Sequence, residues 1–329
     1  MKRALRVGLA LTLLAIGLSP APASAQQATV LRLGHVGGPG SIYEIVAMKF
    51  AATVHESLKG RVEIKVSGSS QLGTDVQMLR GLKIGAPEMA VLSTVVDNAE
   101  PKFGVFEMPY IIANRAHMKK VAEHPKVQSA IFEGLPAKGG MRVLGVWENG
   151  LRHVTSNIRP IEKPEDLKGL KIRVPAGAWW VKLFKAYGAS PSTIPTAELF
   201  KALQSNAVDS QEAPFPIIAA EKLQEVQKYL SLTGHAYSPA LLLISEETWN
   251  KLPKDVQASL SKIGWDMGNF ARSEGERLDK DLLKKLAPPM KLNEVNREPF
   301  IKASAVVYEE FGQQVPGGKD LIGVIQSLR

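Results

Sequence analysis

Cysteine is absent from the 329-residue chain. Disulfides and thiolate metal sites are thereby excluded, so an apolar core has to hold the fold. Blocks of five or six like charges are also missing, although the net charge is +9, and nucleic acid is not an expected partner. The six histidines (His35, His55, His117, His124, His153 and His235) include no pair three or four residues apart. His-Glu-x-x-His does not occur, and no metal is expected. Gly37-Gly38-Pro39-Gly40 fits neither G-x-G-x-x-G nor a phosphate loop ending in Gly-Lys-Ser/Thr. Gly68-Ser69-Ser70 is no G-x-S-x-G elbow. With these signatures lacking, neither a cofactor nor a catalytic residue is expected, and the chain reads as a non-enzyme.

Only the first residues carry a long apolar run. Lys2, Arg3 and Arg6 precede an apolar stretch at 7–18, and Ala23-Ser24-Ala25 follows. That is the pattern of a signal peptide, with cleavage expected before Gln26 and the mature protein outside the cytoplasm. The run is shorter than the roughly 20 residues of a spanning helix; an uncleaved anchor is the alternative. Losing Lys2, Arg3 and Arg6 takes the charge from +9 to +6, which attracts anionic solutes only weakly at physiological salt. A mature chain of roughly 300 residues is near the size at which one core becomes two, so two α/β domains are expected.

The patterning agrees. Strands are predicted at 29–35, 62–66 and 89–92. Helices are predicted from Ser41, where Ser41 and Glu44 have capping-box spacing, and over about 75–84. Strand and helix alternate as in an α/β layer with a parallel sheet. The rhythm restarts with strands at 141–147, 152–155 and 170–174, a short helix at 164–167, and helices at 179–187 and 197–204. Residues 253–285 hold helical spacing throughout, enough for a spine across both domains, and 298–311 reads as a further helix. No low-complexity linker is present, so short crossing strands are expected to join the domains.

Within Leu170-Lys171-Ile172-Arg173-Val174-Pro175, alternation sets Arg173 opposite Leu170, Ile172 and Val174, at a strand's carboxyl end. Ligands bind there in open α/β sheets, and a guanidinium matches a carboxylate with two parallel N–H bonds. Alternation alone suits a solvated strand face at least as well. Trp179 and Trp180 follow just after Arg173, with Trp147 upstream and Phe215 downstream, and all four are candidates for an apolar pocket wall; ordinary core positions are the alternative for each.

The run 166–175 (Asp-Leu-Lys-Gly-Leu-Lys-Ile-Arg-Val-Pro) resembles the signature segment of the periplasmic receptors of tripartite ATP-independent (TRAP) transporters, DctP-type branch. So do Gly188-Ala189-Ser190-Pro191, the run 195–204, Val208-Asp209-Ser210-Gln211-Glu212, Ser69-Ser70-Gln71-Leu72-Gly73 and Asn149-Gly150-Leu151-Arg152. The matches keep family order from about residue 30 to 315. The resemblance implies an α/β fold of two-domain periplasmic-binding-protein (Venus flytrap) architecture, with crossing strands and a long domain-spanning helix. The expected division is 26–150 with about 239–278, and 151–238 with about 279–329. It also implies a periplasmic, non-enzymatic receptor that delivers a small carboxylate to TRAP permease membrane subunits driven by an ion gradient; a monomer is expected. In such receptors the Arg of R-V-P makes the main carboxylate salt bridge, which points to Arg173. The Arg of N-G-x-R assists, which points to Arg152, and other cleft positions match Val36, Asp75 and Ser93.

Some positions depart from the family pattern. Ala213, with Pro214 and Phe215, stands where many members carry Asn after Gln-Glu; Asn206-Ala207 and Ser210 replace the usual glycines; and Thr196 stands where some place an aromatic. With Trp179, Trp180 and Phe215 nearby, these departures favour a less polar monocarboxylate, aromatic or branched, over a sugar acid. A receptor of an ATP-driven importer and an exported enzyme acting on a carboxylate are the alternatives.

Overall fold

Short apolar strands alternating with amphipathic helices bury themselves best as a sheet covered by helices. The computed structural model describes residues 28–329 and is built that way; the expected leader and its cleavage site lie outside the described residues. One sheet runs through the molecule in the order β2-β1-β3-β8-β4-β7-β5-β6, with β9 beside β8. The strands are β1 (Thr29–Gly34), β2 (Val62–Ser67), β3 (Met89–Leu92), β4 (Met141–Ser156), β5 (Lys171–Val174), β6 (Ser190–Thr193), β7 (Ser210–Pro214), β8 (Tyr229–Ser245) and β9 (Lys291–Glu294).

Two strands make the molecule two-lobed. β4 has 16 residues and β8 has 17, and they pair antiparallel along most of their length. The early half of β4 and the late half of β8 continue into β3, β1 and β2; the other halves continue into β7, β5 and β6. The crossing strands are therefore long rather than short. β4 is also one strand where two were predicted, because register shifts at Val143/Gly145, Glu148/Gly150 and Arg152/Val154 bend it and break its alternation. β6 to β9 were not foreseen: Ser190-Pro191-Ser192-Thr193 carries no apolar alternation, and β8 is buried almost throughout, so its period is invisible.

The helices fall close to their expected places. α1 (Ile42–Ser57) starts where Ser41 Oγ accepts the Glu44 amide at 3.3 Å, but the Glu44 carboxylate turns to His35 Nε2 at 3.0 Å instead of closing a capping box. α2 (Asp75–Leu82) carries the complete box, between Thr74 and Gln77. The predicted long helix is Lys254–Leu286, 33 residues, or about 50 Å. It packs on β4, where Trp147 Nε1 donates to Gly264 O at 2.9 Å. The predicted 298–311 helix is two, Glu298–Ala303 and Ala305–Gln314, broken at Ser304, whose hydroxyl bonds back to Phe300 O. The terminal helix Gly318–Ser327 reaches back to the helix Arg115–Glu123, with His117 Nε2 2.8 Å from Ile325 O. No helix among the described residues is long and apolar enough to cross a membrane.

Candidate ligand-binding site

β5 lies between β7 and β6 and is buried from Ile172 onward. Arg173 therefore projects into protein and not onto a solvated face. Its Nε donates to Ile194 O at 2.7 Å and its Nη2 to Thr196 Oγ1 at 3.4 Å, the chain beyond β6 acting as a bracket. Among the described residues Nη1 has no protein partner, and no carboxylate pairs with the group. Burial lowers its pKa to about 10, opposed by Glu212 and assisted by Arg152, so it stays cationic at neutral pH. Glu212, Asp75 and Glu221 act on it only from a distance; a buried cation with no anion in direct contact is costly, and an anion placed beside it relieves that cost.

Arg152 is differently placed. It forms a two-pronged pair with Glu212, Nε to Oε2 at 2.5 Å and Nη2 to Oε1 at 2.7 Å, above the ring of Trp180 at 4.9 Å. His235 Nε2 stands 3.1 Å from the same carboxylate. Burial opposes ionisation of Glu212, but Arg152 and the hydrogen bonds from His235 and Arg152 outweigh it and hold its pKa at about 2. Arg152 Nη1 also lacks a protein partner among the described residues.

Polar groups complete the cavity. The Thr74 cap sets Asp75 at the first position of α2, where burial raises its pKa to about 6 against the opposing charge of Arg173. Ser93 Oγ donates to Pro239 O at 2.6 Å and accepts from Asn149 Nδ2 at 3.2 Å. Asn149 Oδ1 is buried with no partner among the described residues, and burial holds the Tyr43 phenol protonated. Gly150, at φ +119°, follows Asn149 in the bulged part of β4 and takes a backbone conformation that favours glycine.

The expected residues divide into two groups. Val36, Asp75, Ser93, Arg152, Arg173 and Ala213 line one cavity of about 30 Å³, together with Tyr43, Thr94, Asn149, Pro175, Thr196, Pro214 and Ile217. An adjoining cavity of about 190 Å³ shares Asp75, Arg173 and Pro175 and extends past Val95, Ala176 and Ile194. The expected aromatic wall lies elsewhere. Trp147 packs on Phe50 and the long helix; Trp179 packs on Phe311 at 5.0 Å; Phe215 stacks on His153 at 4.5 Å. Trp180 supports Arg152 from below without lining either cavity. These large rings fill cores because both helices and strands here are buried on more than one side. Tyr43 was missed because an aromatic between Ile42 and Ile45 reads as core; Asn149 stood in a flagged segment, but only its fold-back onto Ser93 reveals its role.

The family model described as bacterial extracellular solute-binding protein, family 7 (DctP), matches residues 33–314. The chain is similar to the 2,3-diketo-L-gulonate-binding periplasmic protein YiaO of Escherichia coli, 31% identical over 95% of this chain and 96% of that one. Among solved structures it is similar to a TRAP periplasmic solute-binding protein from Haemophilus influenzae with bound L-gulonate (TM-score 0.87, 30% identity, 92% of this chain and 100% of that one). It is also similar to one from Polaromonas bound to D-erythronate (TM-score 0.86, 30% identity, 91% and 98%).

Proposed function

Since the chain belongs to family 7 of the bacterial extracellular solute-binding proteins, the DctP family, we propose that it is the TRAP-type receptor for a small hydroxylated carboxylate, held chiefly by Arg173. The observation that carries this reading is the buried guanidinium of Arg173, bracketed by Ile194 and Thr196 and without a carboxylate partner among the described residues. Arg152, already paired with Glu212, offers its remaining Nη1 as a second contact. The ligand's other end meets Asp75, Asn149 Oδ1 and Tyr43, a set suited to hydroxyl groups. This reading replaces the aromatic or branched acid that the sequence favoured, because the four large aromatics stand outside the lining.

A cavity of about 30 Å³ has room for about one water, so an acid of several carbons extends into the adjoining space or enters as the lobes part. We take the lobes to divide in the middle of β4 and β8, with the terminal helices touching both. Closure of the lobes brings Asp75 and Asn149 against Arg173 and traps the acid, and closure is favoured because both lobes contact it only then. The receptor then hands the acid unchanged to permease subunits. Export to the periplasm, cleavage before Gln26, a monomeric state and the lack of catalysis belong to the same proposal.

The test is a thermal-shift screen of short hydroxy acids, L-gulonate and D-erythronate among them, followed by calorimetric titration. At least one should raise the melting temperature and be recovered unchanged. Equal affinity in wild type and Arg173→Ala, or no response to any acid, would overturn the reading.

A further inference from the structure

Three side chains that follow β3 grip the segment that follows β5. Asn98 Nδ2 donates to Ala176 O at 3.1 Å, Asp97 Oδ2 accepts from the Ala178 amide at 3.0 Å, and the carboxyl of Glu107 packs against Gly177. β3 and β5 stand in opposite halves of the sheet. The grip is therefore a lobe-to-lobe contact, made directly beyond the strand that carries Arg173.

Glu107 is the unusual member. It is 1% exposed, and both its carboxylate oxygens lack a hydrogen-bond partner among the described residues. A Cβ on Gly177 would overlap both oxygens and come within 2.7 Å of Trp180 Cδ1. Trp180 Nε1 is likewise buried and unpartnered, and Trp180 is the ring under Arg152. The carboxyl thus abuts the platform of a cation that lines the ligand cavity. An ionised carboxylate with no partner is strongly disfavoured in such a place, whereas a neutral one is tolerated.

We propose that Glu107 is a proton-operated latch on lobe closure: its carboxyl is neutral while the lobes are shut and ionises when they part and water reaches it. Closing therefore takes up one proton from solvent. Glu107 is a positioning residue that acts through Gly177 and Trp180 and touches no ligand.

The surrounding charges are consistent with this. Burial, foremost, and the acids Asp97 and Glu212 disfavour the ionised form of Glu107 and hold its pKa well above the usual carboxylate range. Arg152 favours the ionised form but is committed to Glu212. The Trp179 amide faces the carboxyl without reaching hydrogen-bond geometry. Asp97 is itself raised to about 6, by burial. His235, beyond the Trp180 ring, is shifted towards its neutral form by burial, and Lys182 on the same helix pairs with Glu310. The shut form binds the proton more tightly, so raising pH from the ordinary carboxylate value of about 4.3 towards the raised one favours the open form.

The chain has no cysteine, so Met48→Cys and Lys185→Cys, exposed on helices of opposite lobes, can carry spin labels without background. Pulsed dipolar spectroscopy on the ligand-free protein then reads the ratio of shut to open forms between about pH 5 and about pH 9. In the wild type the ratio should fall by up to about tenfold per pH unit. Glu107→Gln, which keeps the shape and the neutral state, should lose most of that slope; Asp97→Asn should keep the share due to Glu107. An unchanged slope in Glu107→Gln overturns the latch. So does a wild-type ratio indifferent to pH, whether or not the variant folds. The proposal rests on the two-lobed reading but not on the identity of the acid. If no acid binds, the lobe distances still decide the latch.

Discussion

Arg173 and Glu212 are both fully enclosed ionic side chains, and they differ in what answers their charge. Glu212 pairs directly with Arg152 and His235; among the described residues Arg173 hydrogen-bonds only to a carbonyl and a hydroxyl, and the nearby acids do not pair with it. Truncating the partner of a buried carboxylate typically costs about 2–5 kcal/mol of binding, so Arg173→Ala should weaken the acid by that amount in calorimetric titration while leaving the fold intact. Glu212→Gln should act on the fold instead. It strands Arg152 and should lower stability by roughly 3–5 kcal/mol at neutral pH, read from urea unfolding. The pH dependence follows from the depressed pKa of about 2. The contribution of Glu212 is complete above the unfolded value of about 4.3 and is lost as pH falls from there through 2. The gap between wild type and Glu212→Gln should therefore close over that acid range.

The long helix Lys254–Leu286 and β4 approach each other through glycine. A Cβ on Gly264 would overlap Leu144 O, and one on Gly268 would meet Val146 O at 2.8 Å. Gly264→Ala gains about 1 kcal/mol of helix propensity, but moving rigid backbone costs about 1–3 kcal/mol. The expected result is a lower melting temperature. Gly323, in the terminal helix Gly318–Ser327, has nothing within 4 Å of a new Cβ; Gly323→Ala should stabilise by about 0.5–1 kcal/mol. If both substitutions raise the melting temperature, the close helix–strand contact is absent in solution. The same packing explains why the helix could be read whole from sequence whereas β4 was read as two strands: the helix keeps one polar face, whereas β4 is covered on both sides and bent by bulges.

At the scale of the whole molecule, the proposed closure would be a flexing of two long strands, β4 and β8, around the buried guanidinium of Arg173. A ligand that binds only the folded state stabilises by about 2.7 kcal/mol at a hundredfold excess over its Kd. The acid that fits should raise the melting temperature and also reduce the radius of gyration in small-angle scattering, since it favours the shut lobes. A bound acid with no change in radius would mean that the lobes do not close on it.

Motif order and strand–helix rhythm were sufficient to identify the family, the two-lobed α/β plan and the long helix, because local periodicity and turn chemistry are written in neighbouring residues. They also singled out Arg173 and Arg152. Whether Arg173 faced water or protein was not decidable from β5 alone; the neighbours β6 and β7, distant in sequence, bury it. The sequence placed aromatics near the site by proximity along the chain, and tertiary packing sent Trp147, Trp179 and Phe215 into cores and Trp180 beneath Arg152. Tyr43, Asn149 and Glu107 acquire their surroundings only when the two halves of the sheet meet. A side chain's periodicity is local, but its dielectric surroundings and its partners are set by segments that meet only in the folded chain.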